Sequence, residues 1–118
     1  SIACQVHDVL EAMEADSGIQ LSALKVDGGA SANNFLMQTQ ADLIDAPVNR
    51  PCCVETTAMG AAYLAGLAVG YWSSKEEVRH NWSIDQKFYP SITEETREQK
   101  IKGWNKAVKY SYGWAKDE

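Results

Sequence analysis

The chain has 118 residues and a formal net charge of −5, and 45% of its residues are hydrophobic, enough for one modest core. Residues 1–72 carry 2 basic and 8 acidic side chains and residues 73–118 carry 9 and 8, so neither part has the basic footprint of a nucleic-acid-binding protein. The longest apolar stretch, residues 58–72, contains three glycines and is too short to cross a bilayer, so we expect no membrane span.

The first predicted element is a helix from Ile2 to Ala15, with apolar residues recurring at helical spacing. Gly18 is placed to adopt the left-handed conformation that often ends a helix. The helical pattern starts directly after Ser1 with no initiator Met, so we expect a piece of a longer protein. His7 in this helix and His80 further on have no neighbours that would make a catalyst, and we expect both at the surface.

A short strand is predicted at residues 23–26, followed by Gly28 and Gly29. Ser31 can cap the next helix, whose inward face would be Ala32, Phe35, Leu36, Thr39 and Leu43, and which should stop near residues 45–47. A second strand is predicted at residues 48–50 and is stopped by Pro51.

The following helix should be capped by Thr56 or Thr57 and run to about Val69. Its inward positions are mostly alanine and glycine, which predicts a buried helix packed closely against a sheet or another helix. Because a helix separates the two strands, they should be parallel and joined by a right-handed crossover, which indicates an α/β architecture.

Residues 73–91 read as a mixed connector with a short helix at residues 75–79 and an extended segment at residues 88–90. A last amphipathic helix is predicted from Glu94 to Trp114. The residues along one of its sides are Arg97, Ile101, Trp104, Val108 and Tyr112. The four tryptophans are spaced as packing anchors, although Trp104 and Trp114 on one helix could mark a partner surface.

The three cysteines, Cys4, Cys52 and Cys53, form an odd set with no CxxC spacing and no nearby histidine. This pattern favours reduced thiols in a cytoplasmic protein and argues against structural zinc.

The diglycine at positions 28 and 29 is the most informative local feature. Glycine has no Cβ, so a Gly-Gly turn at the end of a strand lets the backbone approach a flat or charged ligand closely. A simple strand-to-helix turn is the alternative explanation. Asp27 invites a magnesium role, but a carboxylate before a diglycine more often accepts N–H bonds from its own turn, and Glu55 would support the first turn of the following helix.

Several separated blocks follow the order and spacing of one family. Residues Val26–Ser31 (Val-Asp-Gly-Gly-Ala-Ser) resemble the adenosine motif of the actin-like ATPase superfamily, hydrophobic-x-Gly-Gly-x-Ser/Ala. The blocks Gln38–Asp42, Glu55–Gly66 and Gly103–Val108 resemble the C-terminal region of the FGGY carbohydrate kinases, so the resemblance covers nearly the whole chain.

The resemblance implies an α/β fold, the C-terminal part of an actin-like ATPase (ribonuclease H-like) domain, built as helix-strand-helix-strand-helix with a C-terminal helical extension. Such a domain has a five-stranded mixed sheet, of which this chain would supply the last two strands and the upstream part the other three. Residues 1–72 would carry those strands and their helices, and residues 73–118 the connector and C-terminal helix of the same domain.

The resemblance also implies ATP and Mg²⁺ as cofactors and a nucleotide site at Gly28, Gly29, Ala30, Ser31 and Asn33. Asn33 could instead be a solvated or helix-capping residue. Neither a catalytic base nor a metal ligand is nominated, because the family's base, polyol contacts and phosphate-clamping loop lie upstream, and the chain alone should be inactive.

Within the family the chain is most similar to members that phosphorylate glycerol. Xylulose or gluconate kinases are the alternative, and a non-enzymatic interaction module is a further one. Glycerol would bind through the upstream part, and a regulatory protein could dock on the first turns of the C-terminal helix. Because two strands cannot complete a sheet, we expect the chain to form a homo-oligomer.

Overall fold

A computed structural model describes residues 1–52, 54–81 and 83–117. The helices in this part of the chain are α1 (Ile2–Ser17), α2 (Asn34–Ile44), α3 (Thr56–Ala68), α4 (Lys75–Arg79) and α5 (Glu94–Ser111). The strands are β1 (Leu24–Lys25), β2 (Val48–Pro51) and β3 (Ile84–Phe88), and two 3₁₀ helices span Gly29–Ala32 and Trp114–Asp117. The mixed α/β class is as predicted.

The sheet has the strand order β1-β2-β3. Strands β1 and β2 are parallel, with Leu24 opposite Val48, which confirms the predicted parallel pairing of two strands separated by α2. Strand β3 is antiparallel to β2, with Phe88 opposite Val48. Two strands were predicted, with an extended segment only at residues 88–90, so β3 was not anticipated. Pro51, predicted to stop the second strand, is itself the last residue of β2.

The core lies where α2 packs against this sheet. Met37 and Ala41 from α2 meet Val48 of β2 and Phe88 of β3, and all four side chains are buried. The predicted inward face of α2 is partly wrong, because Phe35 is 81% exposed. The buried residues of α2 are Met37, Gln40, Ala41, Asp42 and Leu43, and of these only Leu43 belongs to the predicted face.

The helix ends also separate correct from incorrect predictions. Helix α1 ends at Gly18, whose φ of 69° is the predicted left-handed cap. Helix α2 ends at Asp45, within the predicted range. Its N-cap is Asn33, so the prediction of Ser31 as the cap is wrong, and Ala32 belongs to the preceding 3₁₀ helix.

Helix α3 is the clearest failure of the sequence analysis. It was predicted to be buried, but Gly66 is its single buried residue. Its N-cap position is held by Glu55, which makes no side-chain capping bond, and Thr56 is already the first helical residue. Small side chains permit close packing, yet they offer little area to bury, so the pattern alone does not bring a partner element to the helix.

Helix α4 lies at its predicted position. Helix α5 packs onto α1 and α2. The buried Arg97 donates from Nε to the Asp42 carbonyl at 2.5 Å and lies 3.1 Å from the Asp45 carboxylate. The Trp104 indole donates to Asp8 of α1 at 2.7 Å. Tyr112 lies just beyond the end of α5 and is exposed, so the predicted end at residue 114 is too late.

Candidate functional site

The candidate site is the segment from Gly28 to Asn33, which leaves the carboxyl end of β1 and leads into α2; we call it the glycine loop. Gly28 has φ 84° and ψ 166°, a backbone conformation that side chains other than glycine rarely adopt. Its N–H donates to the Val54 carbonyl at 2.6 Å. The conformation accounts for a glycine at position 28, and the backbone contact holds this end of the loop against Val54.

Gly29 is different, because its φ lies outside the left-handed region. A Cβ built on Gly29 would meet no atom of the described residues within 4 Å. The described part of the chain therefore gives no internal reason for glycine here. An approaching ligand that needs this space remains the explanation that the sequence analysis offered.

Ser31 lies inside the glycine loop and is only 2% exposed. Its hydroxyl donates to the Gly28 carbonyl at 2.6 Å, and its N–H reaches the same oxygen at 3.0 Å. Two bonds to one carbonyl hold the loop closed. Ser31 thus braces the loop from within, while Gly29 and Ala30 face outward.

Asn33 is exposed and caps α2: its Oδ1 accepts from the Leu36 N–H at 3.1 Å. This is the helix-capping role that the sequence analysis kept as an alternative. Capping uses the oxygen of the amide and leaves the Nδ2 end to donate elsewhere. Both roles are therefore compatible in one side chain.

Asp27 has a structural contact, though with a different partner from the one expected. Its carboxylate accepts a hydrogen bond from the Thr56 hydroxyl, so the start of the glycine loop is connected to the first residue of α3. The expectation that it would bond the N–H groups of its own turn is replaced by this longer-range contact. Thr56 also lines a cavity of about 230 Å³ that Met59, Tyr63 and Asn81 help to enclose.

Arg50 is a buried charged residue behind the glycine loop, and it was not among the predicted site residues. Arg50 is 8% exposed, and its NH1 donates to the carbonyls of Ser31 and Ala32 at 3.1 and 3.3 Å. The signal in the sequence was a charged residue at an alternate position to Val48, on the inward side of a short strand. In the folded chain the Arg50 side chain lies beneath the glycine loop.

Groups suited to acid–base or metal chemistry lie elsewhere. His7, Asp8 and Glu11 of α1 hold their ligand atoms within 4.8 Å of one another, the kind of exposed cluster that is common without an ion. Of the two histidines expected at the surface, His80 is exposed and His7 is half-buried. Cys4 and Cys52 are free thiols, whereas Cys53 and Trp82 lie outside the described residues.

No helix among the described residues is both long and apolar enough to span a membrane.

Comparison with known proteins gives consistent results. Residues 1–69 match the FGGY family of carbohydrate kinases, C-terminal domain. The full chain is 67% identical to a glycerol kinase of Agathobacter rectalis, and 99% of it is 63% identical to that of Caldanaerobacter subterraneus subsp. tengcongensis. The chain spans about a quarter of the length of these curated relatives, 24% in both cases.

Solved structures agree on the fold. The crystal structure of Plasmodium falciparum glycerol kinase with ADP superposes with a TM-score of 0.80 and 34% identity, over 94% of this chain and 22% of that one. A gluconate kinase from Lactobacillus acidophilus superposes with a TM-score of 0.65 at 18% identity, over 81% of this chain and 20% of that one, which supports the fold alone.

Proposed function

This chain belongs to the FGGY family of carbohydrate kinases, and we propose that it forms the nucleotide-binding side of a kinase that transfers the γ-phosphoryl group of ATP to glycerol. Residues 1–72 supply the strands and helices that carry the glycine loop. Residues 73–118 complete the same domain. The polyol site and the catalytic base lie in the part of the kinase that precedes this chain.

The observation that carries the proposal is the glycine loop itself. Gly29 and Ala30 lie exposed on a loop whose interior is fixed by Ser31 and Arg50, and Asn33 keeps an amide donor beside them. A rigid backbone with open space above Gly29 suits the close approach of a nucleotide. The structural relative at 34% identity is a glycerol kinase with ADP, which supports the nucleotide as the ligand.

The contribution of this chain to catalysis is positioning. Phosphoryl transfer needs the phosphates held in line with the acceptor hydroxyl, and most of its acceleration comes from orientation and charge stabilisation. Gly28 sets the direction of the loop, Gly29 and Ala30 bound the nucleotide, and the Asn33 amide donates to it. Mg²⁺ would be held by the ATP phosphates, and we assign it no ligand in this chain because the Asp27 carboxylate accepts a hydrogen bond from Thr56.

Glycerol is preferred over other polyols on the strength of the relatives. The curated proteins that match at 67% and 63% identity are glycerol kinases, whereas the xylulose and gluconate kinases resemble this chain at 22% and 18%. Further proposals for the intact kinase are a cytoplasmic location, a homo-oligomer, and a regulatory protein docking on the first turns of α5.

The decisive experiment is a coupled ADP-release assay of the intact kinase with ATP and either glycerol, xylulose or gluconate. We expect turnover with glycerol and none above background with the other two. Xylulose or gluconate as the better acceptor would establish the alternative. Residues 1–118 alone should release no ADP in response to glycerol, and activity of this piece would contradict the assignment of base and polyol site to the preceding part.

A non-enzymatic interaction module is tested separately by titrating the intact protein with ADP and following its melting temperature. A ligand that binds the folded state but not the unfolded state raises the melting temperature, so a kinase should show an increase that grows with ADP concentration. An unchanged melting temperature at millimolar ADP would favour the interaction module.

A further inference from the structure

Arg50 makes more side-chain hydrogen bonds than a strand residue needs for packing. On one side its NH1 donates to the Asn34 Oδ1 at 2.7 Å and to the carbonyls of Ser31 and Ala32. On the other side, Nε and NH2 donate to the Asp85 carboxylate at 3.2 and 3.0 Å, and NH2 also reaches Gln86 at 3.3 Å. One buried guanidinium thus joins the glycine loop to β3.

The planar shape of the guanidinium makes this possible. Its donors point in fixed directions in one plane, so the NH1 edge can serve the loop while the Nε edge pairs with a carboxylate. The group also lies over the Phe88 ring, 5.2 Å from the ring centroid. A lysine has the charge but a single nitrogen, and it cannot satisfy both sides at once.

The carbonyls that Arg50 holds belong to the last two residues of the 3₁₀ helix, directly before Asn33. Holding these two carbonyls fixes the position of the exposed residues Gly29 and Ala30 and of the Asn33 side chain that follows. Ser31 braces the loop at its start through Gly28, and Arg50 adds a second support at its end.

We propose that Arg50 is a positioning residue for nucleotide binding, and that Asp85 of β3 orients it. Arg50 contacts the loop from beneath and acts by holding the loop in the shape that accepts ATP. This inference rests on the proposed function. It also assigns a role in the nucleotide site to β3, which lies outside the residues 1–69 that match the family domain.

The test is Arg50→Lys in the intact kinase, with the Michaelis constants for ATP and glycerol measured separately. The loss of charge-assisted bonds to the loop should raise the constant for ATP roughly tenfold, while the constant for glycerol stays within about twofold. The rise in melting temperature that ADP produces should shrink in parallel. A merely structural residue would not separate the two substrates.

Arg97→Lys is the matched control. Arg97 is also buried and also donates to a backbone carbonyl, that of Asp42, but it fastens α5 to α2. We expect it to lower the melting temperature without changing the ratio of the two Michaelis constants. Equal changes in that ratio for both lysine variants would overturn the proposal.

Asp85→Asn keeps the inference testable if Arg50→Lys does not fold, because this carboxylate is half exposed, at 51%. We expect a selective rise of about threefold in the constant for ATP, since an exposed ion-pair partner contributes less than the buried one. Asp85→Glu keeps the carboxylate and should leave the Michaelis constant for ATP close to that of the unsubstituted kinase. An unchanged constant in Asp85→Asn would remove β3 from the site.

The proposed function has its own readout in the same experiment. If the unsubstituted kinase shows no ADP-induced rise in melting temperature, the nucleotide assignment fails and Arg50 has no ligand to position. If that rise is present and Arg50→Lys leaves both it and the constant for ATP unchanged, the proposed function stands and the role of Arg50 is wrong.

Discussion

Two parts of the chain, joined by residues 52–55, differ in how many of their side chains are buried. In the sheet half, residues 24–51 with β3, buried side chains from α2, β2 and β3 interlock around Val48, which is fully buried. In the α3 segment, residues 56–79, Gly66 is the one buried residue, and Leu64 and Val69 are 71% and 81% exposed. The α3 segment is richer in apolar residues than the sheet half, so composition does not decide which part forms a core.

The difference comes from side-chain size and from the neighbours that each element finds. Met37 and Phe88 are large enough to reach across from helix and strand and meet. Helix α3 consists mainly of alanine and glycine and meets Trp72, which covers Gly66 and stacks edge-on with Tyr63 and Tyr71 at 5.3 and 4.9 Å. This aromatic cluster covers Gly66, whereas the glycine loop lies beside the packed core of the sheet half.

The substitution expected to destabilise the sheet half most is Phe88→Ala. Phe88 is 4% exposed and contacts both the core and Arg50, so its removal should cost about 3–5 kcal/mol of unfolding free energy, measured by urea denaturation of the intact protein. Phe35→Ala is the control, since an exposed side chain should change stability by less than about 0.5 kcal/mol. If Phe88→Ala lowered the unfolding free energy as little as Phe35→Ala does, β3 would not be part of the core.

Strand β3 shows why the sequence could not predict the whole sheet. Its residues Ile84-Asp85-Gln86-Lys87-Phe88 carry three polar side chains in a row, and only Phe88 is buried. A strand of this kind is specified by its pairing with β2 rather than by alternation, so no periodic signal existed. The helices α1, α4 and α5 were predictable because helical spacing and capping residues are local.

The same reason separates the predicted site from the observed one. The glycine loop was predictable because two glycines after a strand are a local signal, and the family resemblance extended it to Asn33. Arg50 and Asp85 were not, because they lie 35 positions apart and meet only in the folded sheet. Long-range polar contacts leave no spacing pattern in one sequence.

Gly66→Ala probes the α3 segment with a smaller expected effect. A methyl group at Gly66 would overlap the Trp72 ring, so the substitution should cost about 1–3 kcal/mol through displacement of that ring. Urea denaturation gives the energy, and near-ultraviolet circular dichroism reports the tryptophan environment.

The control for that substitution is Gly60, which precedes Gly66 in the same helix. A Cβ at Gly60 meets no described atom within 4 Å, so Gly60→Ala should stabilise by about 0.5–1 kcal/mol. If Gly66→Ala behaved like Gly60→Ala, Trp72 would not be the group that orders this helix.

Asn33→Asp separates the two roles of this residue at the edge of the packed half. Aspartate is an equally good N-cap, so stability should be unchanged, but it loses the amide donor and adds a negative charge near the phosphates. We expect nucleotide affinity to fall by about 0.5–1.5 kcal/mol or more by calorimetric titration with ADP. Unchanged affinity would leave Asn33 with capping alone.

The smallest expected effect is a pH response confined to the α3 segment. Hydrogen bonds from the Ser73 N–H at 2.7 Å and the Ser73 hydroxyl at 2.8 Å lower the pKa of Glu77 from its ordinary value of 4.5, the backbone bond contributing most. A lowered folded-state pKa means that the contact stabilises α4 fully above pH 4.5 and is lost as the pH falls through the folded-state pKa. The Ser73 amide resonance should therefore shift on acidification below pH 4.5, while the same titration in Glu77→Gln is flat. Glu76→Gln, which removes only the exposed pair with Arg79, should leave the Ser73 titration intact. A Ser73 resonance that titrates equally in Glu77→Gln would place the proton elsewhere and leave α4 without this anchor.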